Sequence, residues 1–122
     1  MDEIVSSDEI LRRYAAGERD FSGLEIEDPV GAAPLQGASL DGADFSGTFL
    51  VVDLQRAGLR QARFVGANVK TWFFAGADLR GADFTDAALD ATIFFGAQLE
   101  GARFEGAHIQ GAVLRGSERP EG

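Results

Sequence analysis

The chain has no cysteine among its 122 residues, which excludes disulfides, thiolate metal sites and cysteine catalysis and leaves the redox compartment undecided. His108 is the single histidine. Placed outward with no second ligand in sight, it supports neither a metal site nor general-base chemistry. No apolar run approaches membrane-spanning length, and the acidic start Met1-Asp2-Glu3 lacks the basic region of a signal peptide, so a soluble cytoplasmic protein is the expectation. There is no nucleophile–base pair beyond chance neighbours such as Asp44 and Ser46, no Gly-rich phosphate loop and no HExxH-type helix. These absences point to a non-enzymatic protein with no catalytic residues, no cofactor, no metal and no small-molecule substrate.

Basic residues are also scarce. The net charge is −9, and it is unevenly spread. Residues 1–32 carry nine acids against three arginines, residues 33–116 nine acids against seven bases, and the tail adds −1. Acidity belongs mainly to the leader. With no basic stripe and the wrong net sign, nucleic-acid binding is not expected.

What the chain has in abundance is glycine, with 16 copies, and phenylalanine, with 10. Both fall into a repeat. In Ala77-Asp78-Leu79-Arg80-Gly81, Ala82-Asp83-Phe84-Thr85-Asp86 and Ala87-Ala88-Leu89-Asp90-Ala91, the order is small, polar, large apolar, polar and often glycine. The phase continues through Ala97-Gln98-Leu99, Ala102-Arg103-Phe104 and Ala107-His108-Ile109. Fixed-period self-similarity is the mark of a solenoid, and a period of five is neither the helix nor the strand period. If the large residue and the small residue two before it both point inward, each pentad turns a corner. Four corners then close a coil of about twenty residues, stacked on the next at roughly 4.8 Å.

The columns this predicts are present. Phe64, Phe84 and Phe104 form one; Leu59, Leu79 and Leu99 another; Leu54, Phe74, Phe94 and Leu114 a third; Val69, Leu89 and Ile109 a fourth. The spacing from Phe45 to Leu54 is one residue short. Taking Phe49 as the intervening centre restores the columns and places Phe49 with Val69. A similar short step between Ile26 and Leu35, through Val30, extends the pattern back to Phe21.

These residues resemble the pentapeptide-repeat family over residues 19–116, in about twenty consecutive units. The resemblance implies a right-handed quadrilateral β-helix. The expected fold is thus all-β, a solenoid of about four to five coils with a short N-terminal capping α-helix. The stretch Ile10-Leu11-Arg12-Arg13-Tyr14-Ala15-Ala16-Gly17-Glu18-Arg19-Asp20-Phe21 also resembles the leader that precedes the repeats in many cyanobacterial members. The organisation read from this is a leader with capping helix over 1–18, the β-helix over 19–116 and a tail over 117–122.

Solenoid ends expose strand edges and apolar cross-sections, so caps are expected. Ser6 and Glu9 are placed for a capping box, Ile10, Leu11, Tyr14 and Ala15 form one apolar stripe, and Gly17 supplies a stop, which predicts a helix over 7–16 lying on the first coil. After Leu114 the chain is short and polar. Either the tail folds back, with Pro120 blunting the edge, or this end meets a second copy. The resemblance implies the latter in many relatives, commonly through an added helix that this sequence does not show.

One column breaks the polar-outside rule. The residues before its centres are Asp53, Phe73, Ile93 and Val113, and those after are Gln55, Ala75, Phe95 and Arg115. Trp72 takes a small inward slot far too tight for an indole, so it either bulges the corner or swings outward. Trp72, Phe73, Ile93, Phe95 and Val113, with Leu50 and Val51 around the neighbouring corner, make the candidate interface, because contiguous bare apolar faces mark contact surfaces. The alternatives are a register slip that turns Phe73 and Phe95 inward, or a leader that folds over the face. Asp78, Asp83, Asp86 and Asp90 are read as a charge-balanced wall rather than a cation site, since Arg63, Arg80 and Arg103 stand on neighbouring coils.

Two functions compete. One is a protein–protein interaction or scaffold module that binds an unknown protein partner, or itself as a homodimer, through a wall or end of the solenoid. No membrane and no nucleic acid enters this reading, and the sequence does not separate self-association from a foreign partner. The other follows from the resemblance: some members imitate duplex DNA and inhibit DNA gyrase. Duplex DNA carries a charge about every 1.7 Å of axis, whereas the repeats carry about −2 in all. The barrel is too short and too neutral for that role.

Overall fold

The computed structural model describes residues 4–69, 74–90 and 92–109. The chain winds as a parallel β-helix. Its longer pairings form one parallel sheet of four short strands, β1 (Ile4–Val5), β2 (Glu25–Glu27), β3 (Phe49–Val51) and β4 (Asn68–Val69) in that order. Single parallel bridges continue the ladders, as in Asp20–Asp44–Arg63–Asp83–Arg103 and Ser39–Gly58–Asp78–Gln98. One helix, α1 (Ser7–Ala15), lies between β1 and the first coil.

The described inward residues stack in columns. Phe21, Phe45, Phe64, Phe84 and Phe104 lie ring over ring at centroid distances of 4.9 to 5.6 Å, and Phe74 stacks on Phe94 at 5.4 Å. The two aromatic columns meet edge to face, with Phe84 5.8 Å from Phe74 and 6.0 Å from Phe94. Offset stacks and T-shaped contacts suit the ring quadrupole. Alanines 43, 57, 62, 67, 77, 82, 87 and 97 fill the small inward slots and are fully buried.

Two expectations about register are corrected. The centre between Phe45 and Leu54 is Leu50, not Phe49: Leu50 pairs beside Val69 and is 1% exposed, while Phe49 pairs with Asn68 and turns outward. The cause is the preceding corner. Gly47 adopts φ +68°, the left-handed turn used by Gly42 and Gly66, so the pentad from Phe45 closes at its normal length. Thr48 then fills the small slot and its hydroxyl donates to the Phe45 carbonyl at 2.6 Å. The missing residue falls after Leu50, and Val52 takes the next inward slot.

Val30 is likewise no centre; it is fully exposed. After the Asp28 amide bonds the Val51 carbonyl, the chain leaves the wall at Pro29 and returns at Leu35. Proline cannot donate to a ladder, which suits Pro29 and Pro34 to this excursion. The first coil therefore takes 24 residues from Asp20 to Asp44, the next 19 to Arg63, and the following ones 20. Phe21 lies beside Phe45, and Ile26 beside Leu50.

The cap forms as the sequence suggests, with additions. The Ser6 hydroxyl accepts from the Glu9 amide at 3.3 Å. The Glu9 carboxylate pairs with Arg12 and Arg13. At the other end the Gly17 amide bonds the Tyr14 carbonyl and the Glu18 amide bonds the Arg13 carbonyl, a Schellman closure with Gly17 at φ +99°. Ile10 is buried, and Leu11 and Tyr14 pack on the core, but Ala15 stays exposed. The helix is moored at both ends: Ser7 donates its amide and hydroxyl to Asp28 at 2.9 and 2.5 Å, and the Tyr14 hydroxyl donates to the Asp41 carbonyl at 2.7 Å. Strand β1 had no signal, since two residues show no periodicity; it adds Val5 beneath Ile26.

Asp recurs before the inward residue for a backbone reason. Ladder and turn bonds engage the amides of the small residue, the one after it, the centre and the glycine, as Ala43, Asp44, Phe45 and Gly47 show, leaving the residue after the centre without a backbone partner. An Asp before the centre accepts that fifth amide: Asp20 from Ser22, Asp44 from Ser46, Asp53 from Gln55, Asp78 from Arg80 and Asp83 from Thr85, at 2.9 to 3.3 Å. Where Gly58 stands instead, Asp41 of the coil below takes the Arg60 amide at 2.9 Å.

These bonds favour the carboxylate form. Asp20 is held below its ordinary 3.8 by the Ser22 hydroxyl and then the Ser22 amide, and Asp78 chiefly by the Arg80 guanidinium. Burial pushes Asp83 up, but the Thr85 hydroxyl and amide, with Arg103 and Arg63, outweigh it and its net shift is downward.

Two tests follow from this packing. Phe84 touches rings above, below and beside it, so Phe84→Ala lowers unfolding free energy in urea by about 3–5 kcal/mol, while Val30→Ser changes it by less than about 0.5 kcal/mol. Stability from the lowered carboxyls is complete above 3.8 and is lost as pH falls through their folded values. The melting temperature is expected to hold down to about pH 4 and fall below it, with a shallower acid limb in Asp83→Asn.

Candidate functional site

The walls around the columns differ in the character of their outward residues. Between the Leu59 and Phe64 columns the charges alternate and pair. Arg60 lies 3.3 Å from Asp41 and 3.7 Å from Asp78, Arg80 2.7 Å from Asp78, and Arg63 3.9 Å from Asp44. Along the Phe64 wall the ladder places Asp44, Arg63, Asp83 and Arg103 in alternating order. These arginines line a shallow groove of about 690 Å³ with Gln61, Gly81, Gly101, Asp83 and Glu100. A Cβ on Gly81 would lie 2.5 Å from the Gln61 amide nitrogen, the end of an exposed side chain free to swing aside, and Gln61 itself holds the same left-handed corner one coil below at φ +61°. Arg60, Arg63 and Arg80 have carboxylate partners at 2.7 to 3.9 Å, and exposed pairs of this kind contribute about 0–1 kcal/mol each. Among the described residues no group of three His, Cys, Asp or Glu side chains is placed to hold a metal ion.

The Phe74 wall is divided. Its first two coils carry a polar network, with Gln36 donating to Asp53 at 2.8 Å, Gln55 to Asp53 at 3.1 Å and Arg56 to Gln36 at 3.1 Å. Higher up, Ala75, Ile93 and Phe95 face outward. Phe95 is 54% exposed and Ile93 half-buried. Phe94, between them, is fully inside on Phe74, so no register slip turns Phe95 inward. Around the corner Val51 is half-buried beside Phe49.

Of the interface expected from sequence, the structure brings Ile93 and Phe95 onto one wall and Val51 onto the next. Leu50 is a correction: it lies in the core, because the Gly47 corner sets it as a centre. Trp72, Phe73 and Val113 lie outside the described residues. Thr92, in the small slot below Ile93, is buried with its hydroxyl unpartnered among the described residues. The sequence reading missed Phe49 and Val30 as outward apolar residues. The Gly47 signal locates the first, and the Pro29–Pro34 pair the second. Ile4 on β1, exposed beside Glu25, carried no signal.

The model of the pentapeptide repeats matches residues 33–70 and 73–96 in eight copies, just over half of the chain. No curated protein matches. Among solved structures, a pentapeptide repeat protein of the Arabidopsis thaliana thylakoid lumen is 27% identical with a TM-score of 0.42. The match covers 69% of this chain and 63% of that one, so this chain spans somewhat under two thirds of that protein. A pentapeptide repeat protein from Nostoc PCC 7120 is 29% identical with a TM-score of 0.42, over 98% of this chain and 90% of that one. A plasmid-mediated fluoroquinolone resistance protein is 18% identical with a TM-score of 0.31, over 83% and 62%. The architecture is a right-handed β-helix, and the chain belongs to the pentapeptide-repeat family.

Proposed function

We infer that this is a non-enzymatic protein–protein interaction or scaffold module, cytoplasmic, whose quadrilateral solenoid of four to five coils offers one wall to a partner protein or to a second copy. The observation that carries the reading is Phe95, which stands 54% exposed beside Ile93 while the other described phenylalanines lie inside or half-inside. Aromatic side chains anchor interfaces well, since they bring large area at little entropic cost. The paired charges on the Leu59 and Phe64 walls favour a solvated surface there. They also count against imitation of DNA, which requires dense charge of one sign.

Light scattering across a concentration series, on wild type and Phe95→Glu, tests the reading. A wild-type dimer that the substitution splits assigns the wall to self-association. A monomer whose captured partners disappear with Phe95→Glu assigns it to another protein. Unchanged mass together with unchanged partners would sink the reading.

A further inference from the structure

The proposed wall has a chemistry that selects its occupant. Of the six described arginines of the repeats, Arg19, Arg60, Arg63, Arg80 and Arg103 stand on the Leu59 and Phe64 walls or their corners, whereas Arg56 stands at the corner shared with the Phe74 wall and donates to Gln36 there. On the Val69 and Phe74 walls the charged outward residues among those described are Glu25, Glu27, Asp53 and Asp90. Asp28 begins the loop at the corner between these walls. Lys70 lies outside the described residues. The same two walls and their corner hold Val30, Phe49, Val51, Ile93 and Phe95. Apolar side chains and acids thus predominate on one side of the barrel, with Arg56 at its edge and already bonded to Gln36, while the other described cations of the repeats sit on the opposite side.

Resting on the reading above, we propose that this side binds a cationic amphipathic segment of another protein. Apolar residues of the segment cover Phe95, Ile93 and the Val30 loop, and its lysines or arginines face Glu25 and Glu27. From the Val30 coil to the Phe95 coil is three layers, roughly 14 Å at the strand spacing. A helix rising 1.5 Å per residue covers that in about ten residues, a length at which two or three apolar positions share one face. A second copy fits less well. Self-pairing of this side sets acid against acid, and the chain as a whole carries −9.

The test uses fluorescence polarisation with a short labelled leucine–lysine amphipathic peptide and its leucine–glutamate counterpart, against the full chain. The lysine peptide is expected to bind saturably and more weakly as salt rises. Affinity is expected to fall by about tenfold in Phe95→Ser and in the Glu25→Gln, Glu27→Gln double variant. It should stay unchanged in the Glu100→Gln, Glu105→Gln double variant, which removes the same two charges from the Leu59 and Phe64 walls. Val30→Ser, on an excursion that carries no inward residue, provides an apolar deletion that leaves the coils intact, and melting curves verify the others. Equal loss in the Glu100→Gln, Glu105→Gln double variant would reduce the effect to net charge and overturn the proposal. Preference for the glutamate peptide, lost in Phe95→Ser, would overturn the cationic assignment and leave the wall as an interface. If neither peptide binds and Phe95→Glu splits a wild-type dimer, the occupant is a second copy. If neither binds and the mass never changes, the wall reading falls as well.

Discussion

Each coil of this protein is the floor on which the next is laid, and that single contact governs most of the chain. A residue that points inward meets its counterpart one coil away at the strand spacing, so a column keeps its shape only if its members match. Five phenylalanines in one column and two in the column that meets it edge to face across the interior satisfy this with rings 4.9 to 5.6 Å apart. A leucine column does the same with Leu40, Leu59, Leu79 and Leu99 buried in turn. The core thus grows by addition, with stability shared between neighbouring layers in the manner of other solenoids.

The backbone imposes the second rule. Stacking and corner bonds engage four amides of each pentad and leave the fifth, after the centre, facing outward. An Asp one residue before the centre reaches it without leaving the wall, which explains the recurrence of Asp at a position the core does not see. The acidic character of this chain is therefore partly a backbone requirement. An argument that treats every acid as a recognition element would misread Asp44, Asp53, Asp78 and Asp83, whose carboxylates are already engaged.

The period and the columns from Leu54 onward were legible because inward and outward positions differ sharply in size and polarity. The capping helix was legible because Ser6, Glu9 and Gly17 are position-specific signals. The register between Phe45 and Leu54 was not read correctly, because Phe49 and Leu50 are both large and apolar and size alone does not choose between them. The choice is made by Gly47, whose left-handed corner fixes where the next centre falls. Val30 misled for a related reason: it keeps almost the right spacing, yet the prolines on either side carry it off the wall. Of the candidate site, Phe95 and Ile93 were legible as rule-breaking outward residues, whereas Leu50 was misplaced by the same one-residue ambiguity.

Both departures from regular length fall at one corner, between the Val69 and Phe74 columns: the four extra residues of the first coil and the missing one of the second. The other corners described keep their pentads, and the phenylalanine and leucine columns run past undisturbed. This follows from the stacking rule. A coil whose ladders are already anchored on the remaining walls tolerates a loop or a deletion at a single corner, since only the corner residues lose their counterparts. At that corner an outward side chain on the excursion need not match the layer below, so an apolar residue such as Val30 can be placed there without cost to the core. The packing that makes the rest of the barrel repetitive leaves this side free to be specific.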